Sequence, residues 1–152
     1  MTGARVGAVL DASPEAIALV LADPRTYDGV VVGSRRVRWF DARWPEVGTR
    51  FHHNVGFGPV TIRDHSEVVE EDLPDRLRLA VHIRPLGSAE VTFRVAPDPE
   101  GTRVEITEAP TSGLLAATWN PVAAAATRWR NRRVLVRLGK LARARAHAAA
   151  LG

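Results

Sequence analysis

Arg76-Leu77-Arg78-Leu79-Ala80-Val81-His82-Ile83-Arg84 alternates without a break. In an extended chain Leu77, Leu79, Val81 and Ile83 fall on one side, and Arg76, Arg78, His82 and Arg84 on the other. A period of two with a single apolar side marks a strand whose sheet is packed on one face and wet on the other. The period continues in both directions from this stretch. Downstream, Pro85 to Ser88 reads as a turn, and Val91, Phe93 and Val95 as the next strand. Asp98-Pro99-Glu100-Gly101 then turns into a last strand carrying Val104 and Ile106. Upstream, Leu73-Pro74-Asp75 ends a long strand from Val60 to Glu71, whose internal parity is ambiguous and admits a bulge. Before the Gly58-Pro59 turn, Phe51, His53, Val55 and Phe57 share one face, opposite Arg50, His52 and Asn54. Trp44-Pro45-Glu46-Val47-Gly48 is a turn, and the strand before it sets Val37 and Trp39 against Arg36 and Arg38. With a weakly alternating first strand, Val6 to Leu10, the pattern predicts about seven strands joined by short links.

Two short helices interrupt this order after the first strand. Ser13 is placed to cap the first, with Pro14 at its opening position, and Ala16 to Ala22 follows. Asp23-Pro24 repeats the cap-and-proline pattern and predicts one or two further turns through Tyr27. The last element is a helix from about Pro121 to Ala149, roughly 40 Å long at ~1.5 Å per residue. At 100° per residue, Val134, Leu135, Leu138, Leu141 and Ala142 lie on one side of it. Arg128, Arg130, Arg132, Arg133, Arg137, Lys140 and Arg143 lie on the other. Toward the N-terminus the inward arc passes through Asn131, Thr127, Ala124, Ala123 and Asn120, so it is bulky over one half and small or polar over the other.

The chain has 152 residues, 45% hydrophobic and 25% charged, which suits one globular domain, 1–152, and not a disordered chain. It has no cysteine, which excludes disulfides, thiolate metal sites and a cysteine nucleophile, and fits a cytoplasmic setting. The N-terminus lacks the basic-then-apolar pattern of a signal peptide, and no apolar run approaches the ~20 residues of a membrane span. The net charge of +4 hides an asymmetry: residues 1–111 carry 13 Arg against 17 acids, and residues 112–152 carry seven Arg and Lys140 with no acid. Such a helix can meet nucleic acid or anionic lipid, but a solvated basic face opposite an acidic sheet is the simpler reading, so no nucleic-acid partner is favoured. Trp129 and Val136, one heptad apart among the arginines, pack under arginine stems or form a dimer contact, leaving monomer and homodimer both open.

An apolar sheet face needs a cover, and only the long helix is large enough. Where Leu and Val face the sheet the gap fills; where Ala, Thr and Asn face Phe51, Phe57 and Phe93 it does not. An empty void costs about 24 cal/mol per Å³, so one of ~300 Å³ would cost about 7 kcal/mol. That is comparable with the ~5–15 kcal/mol net stability of a domain. Such a space must hold water or a ligand, and a small apolar molecule is the expected partner. Its expected lining is Trp39, Phe51, His53, Val55, Phe57, Leu79, Val81, Phe93, Glu108, Ala124, Thr127 and Asn131.

The order strand, two short helices, six strands and long helix resembles the helix-grip fold of the START-related (SRPBCC) superfamily. More specifically, the chain is similar to the polyketide cyclase/dehydrase and lipid-transport family. The matching stretches are Ala12-Ser13-Pro14-Glu15 with Leu21-Ala22-Asp23-Pro24, Trp44-Pro45-Glu46-Val47-Gly48-Thr49, and Leu73-Pro74-Asp75-Arg76-Leu77. Gly101-Thr102-Arg103-Val104 and Arg130-Asn131-Arg132-Arg133 complete them. Val30-Val31-Val32-Gly33 stands where the family often has Trp before a Val-Pro-Gly turn. The resemblance implies an α+β fold with a seven-stranded curved antiparallel sheet and a cavity for lipid, sterol or polyketide, with no cofactor. Some members bind and others cyclise or dehydrate polyketides, so the resemblance leaves carrier and enzyme open.

The histidines are His52, His53, His65, His82 and His147. Neighbours in a strand point to opposite faces, so His52 and His53 cannot share a metal, and no metal site is expected. His53 is in register with Phe51 and Val55 and is the best candidate for a general base. Glu108 or Asp64 could orient it if its strand parity is right. No G-x-S-x-G elbow, P-loop or dinucleotide fingerprint is present.

Overall fold

The structure, a computed structural model, describes residues 3–24, 34–57, 59–83 and 85–151, with the side chains of 34–38, 53–57 and 60–63 outside that description. The expected second short helix through Tyr27 and the Val30–Gly33 stretch fall outside the described residues. The strands are β1 (Ala4–Leu10), β2 (Ser34–Phe40), β3 (Arg50–Phe57), β4 (Val60–Asp72), β5 (Arg76–Ile83), β6 (Gly87–Asp98) and β7 (Gly101–Ser112). The helices are α1 (Pro14–Ala22), α2 (Gly113–Ala117) and α3 (Pro121–Leu151).

All seven strands form one antiparallel sheet in the order β1-β7-β6-β5-β4-β3-β2. Every link but β1 to β2 therefore joins neighbours, and β1 returns to the far edge beside β7. The alternation that predicted β5 holds: Leu77 and Leu79 are buried between half-exposed arginines. Register shifts occur between Val68 and Glu70 of β4, between Ser88 and Ala89 of β6, and twice in β2. Bulges of this kind bend a strand and re-aim its side chains. β7 runs six residues beyond Ile106, through Glu108 and Pro110, where the apolar alternation that identified the strand stops. Gly101 opens β7 at φ +144°, and a Cβ there would run into the Leu10 carbonyl oxygen.

Both flanking helices begin as the sequence predicts. Ser13 Oγ accepts from the Ala16 N–H at 3.1 Å, and Asn120 Oδ1 accepts from the Ala123 N–H at 2.9 Å. α1 buries Ala16, Ile17, Val20 and Leu21. α3 buries Asn131, Val134, Leu135, Leu138, Gly139 and Ala142 and packs chiefly on β1 and α1. Gly139 lets α3 sit close to β1, since a Cβ there would lie 3.4 Å from Leu10 Cδ2. Arg145 ties the end of α3 to Asp23 at 2.6 Å. Trp44 is read from sequence only as part of a turn, yet it is buried in the core. Its indole stands edge-on to Phe51 at 4.9 Å.

Candidate ligand-binding face

Directly paired residues of antiparallel strands share a face, so the register maps the side of the sheet that meets the helices. One row runs His53, Asp64, Ile83; the next Phe51, Ser66, Val81, Ala89; the next Val68, Leu79, Val91, Glu108. Both carboxylates whose parity was open, Asp64 and Glu108, therefore belong to this inner face. They do not belong to one site. Glu108 is four strands from His53, roughly 19 Å along the sheet at ~4.8 Å per strand. Glu108 is thus excluded as the orienting group for His53, whereas Asp64 is its direct register partner. The side chains of His53, Val55 and Phe57 lie outside the described residues.

Packing along the inner face is uneven. Phe51 and Phe93 are 1% and 3% exposed, and Leu79 is equally buried, so these three are core and do not line an opening. Beyond them Val81, Ile83, Ala89 and Val91 are only half-buried. On α3, Ala123, Ala124 and Thr127 are half-buried as well, and packing becomes complete only from Val134 onward. The first half of α3 covers the sheet less than the second, in line with its small side chains.

The polar groups on this face differ in how far they are satisfied. Thr127 Oγ1 donates to the Ala123 carbonyl at 2.9 Å, which uses its proton within the helix. Glu108 is held in an ion pair by Arg130. The helical wheel set Arg130 among the outward arginines; in the structure its long stem crosses to the edge of the inner face. Asp64 and Ser66 are buried. Asn131 is 4% exposed, and its amide nitrogen makes no hydrogen bond with any described group. An unpaired donor in such a place costs about 1–3 kcal/mol.

Trp39 is displaced from the expected set. It pairs with His52, not with His53, because the register slips between Val37 and Trp39. A slip of one residue moves a side chain to the opposite face. Trp39 is accordingly 54% exposed on the outer face, its ring 5.3 Å from that of His52. Among the described residues no group of three or more His, Cys, Asp or Glu is placed to hold a metal ion.

Residues 1–143 match the family described as "Polyketide cyclase / dehydrase and lipid transport". The chain belongs to that family. Solved structures similar to it share its fold. Protein CV1439 from Chromobacterium violaceum aligns with a TM-score of 0.69 at 17% identity, over 93% of this chain and 98% of its own. An AHSA1-like protein from Aeromonas hydrophila aligns with a TM-score of 0.67 at 18% identity, over 95% and 94%. DynU16, from the dynemicin biosynthetic locus, aligns with a TM-score of 0.65 at 15% identity, over 92% of this chain and 46% of its own. No curated protein matches in sequence. The described residues show a helix-grip-like α+β fold, seven antiparallel strands and a long C-terminal helix. No described helix is long and apolar enough to cross a membrane.

Proposed function

We propose that the protein binds a small, mostly apolar molecule between the inner sheet face and the first half of α3. The observation that carries this is Asn131: a buried amide donor with no described partner on α3, while Val81, Ile83 and Val91 of the inner sheet face stay half-exposed. A carbonyl or hydroxyl on an otherwise apolar guest would satisfy that donor while its skeleton covers the valines. Family membership points to the same ligand class, a lipid or a polyketide. Ala124 and Thr127 would contact the guest from the helix, Val81 from the sheet. The alternation along β3 supports including His53, Val55 and Phe57 in the proposed site. The test is thermal denaturation of the purified protein with fatty acids and with aromatic polyketides. A ligand present at 100 times its Kd should add about 2.7 kcal/mol, equivalent to several degrees in Tm. If neither class shifts the transition, the proposal fails.

A catalytic reading rests on a separate observation, the direct pairing of His53 with Asp64. A histidine beside a buried carboxylate is a general-base arrangement suited to enolising a β-ketone in cyclisation or dehydration. In that reading His53→Ala abolishes turnover of a poly-β-ketone and leaves its binding intact. Equal loss of both, or of neither, would leave the carrier reading in possession.

A further inference from the structure

The outer face of the sheet carries a row of rings that the inner-face site does not use. Trp39, His52, His65 and His82 stand in matching register on β2, β3, β4 and β5, and Ser88 and Ser112 continue the row on β6 and β7. Successive ring centroids are 5.3, 5.4 and 4.6 Å apart, and the His65 and His82 rings are stacked at 23°. Rings stacked on one another across strands cover each other's faces and leave their edges for other partners. The edge of a neutral imidazole offers one N–H donor and one acceptor, and that of an imidazolium two donors.

Beside this end of the row is a cavity of about 230 Å³ lined by His65, His82, Pro85, Gly87, Ser88 and Ser112. Gly87 makes its shape possible: its φ is +123°, and a Cβ there would collide with the Ser112 carbonyl oxygen. Ser88 Oγ lies 2.9 Å from Thr111 Oγ1 and 2.6 Å from Ser112 Oγ, and the Ser88 and Ser112 hydroxyls line the cavity. Among the described residues no carboxylate lines it, which argues against a cation. Stacked imidazoles cannot both aim a lone pair at one ion without unstacking, which argues against a metal. Hydroxyls and imidazole N–H groups together suit an acceptor-rich guest.

We infer that this cavity binds an oxyanion, a phosphate or carboxylate group, through the imidazole edges of His65 and His82 and the hydroxyl of Ser88. Its volume of about 230 Å³ admits the anionic group and a short piece of the molecule bearing it. The described charges beside the cavity are paired with one another. On this face Arg50 is engaged by Glu67 at 3.5 Å, and Arg78 lies between Glu70 at 3.4 Å and Glu90 at 3.1 Å. Burial, then His82, His52 and Arg50, hold the His65 pKa below its ordinary value, opposed only by Asp64 from the inner face. A bound anion relieves that crowding, so it raises the His65 pKa and binds more tightly as the pH falls. The site is on the opposite face from the apolar one and does not depend on it.

The experiment is an NMR titration of the histidine ring resonances of the whole chain, in inorganic phosphate, in acetate and in chloride at matched ionic strength. Phosphate or acetate should raise the His65 pKa by about one unit, a tenfold gain in proton affinity. The His82 resonances should move with those of His65, while those of His147, exposed on α3, stay in place. Response to phosphate alone identifies a phosphate site, and response to acetate alone a carboxylate site. His82→Gln and Ser88→Ala should each weaken anion binding, the first by about tenfold. The wild-type titration stands even if a variant fails to fold. Histidines that answer to neither anion, or that respond only to Zn²⁺, would overturn the inference.

Discussion

Asn131→Leu should stabilise the unliganded protein while impairing its proposed binding function. Asn131 is 4% exposed and follows the helix face that also buries Val134, Leu135 and Leu138. Its amide nitrogen has no described hydrogen-bond partner, so no described group replaces the water that folding removes from this donor. The cost of such a group is about 1–3 kcal/mol. Leucine has nearly the same size and no polar atoms, so the substitution removes that cost and adds apolar contact. The expected gain is about 1–2 kcal/mol, which for a chain of this length is roughly 2–8 °C in Tm. Calorimetry or urea denaturation of the unliganded protein measures it. The same variant should bind a lipid or polyketide carrying a carbonyl at least about tenfold more weakly, since it lacks the matching donor. A variant destabilised by more than about 1 kcal/mol would show that the amide is satisfied in the wild type, and the case built on it would fail.

Other consequences concern the fold and its pH response. Leu138→Ala removes a fully buried side chain where α3 is tightly packed and should cost about 2–5 kcal/mol, visible as a lower urea midpoint at unchanged slope. Gly101→Ala forces a side chain into positive φ and against the Leu10 carbonyl, and should lower stability by about 1–3 kcal/mol in thermal melts. His65 protonates in the unfolded chain near pH 6.5 and in the folded chain only at lower pH. Its contribution is therefore whole above pH 6.5 and diminishes as the pH drops below that value toward the folded pKa. Urea midpoints followed through this range should show a shallower acid loss in His65→Gln than in the wild type; equal slopes would contradict the assignment.

The periodicity of two located all seven strands, because each strand has one wet and one dry side and sequence records that contrast directly. The cap at Ser13 is similarly local and was legible, whereas the cap that Asn120 supplies to α3 was not read. Features of the site that depend on distant segments were not. Trp39 shares parity with Val37, yet a bulge between them sends Trp39 to the outer face. Arg130 falls on the outward side of an ideal helical wheel, yet its stem is long enough to reach Glu108. The row of His52, His65 and His82 is spread over three strands, and only the β3-β4-β5 register brings the rings together. Trp44 gives no sign within its turn that it will fill the core beside Phe51.

Alternation and capping are properties of contiguous residues, so the α+β class, the strand count and the long cover helix followed from the chain read in order. Which residue pairs with His53 across β3 and β4, which donor on α3 has no described partner and which rings stack depend on the folded chain. Those depend on hydrogen-bond register and bulges between segments far apart in sequence, and one residue of slip exchanges one face of a strand for the other.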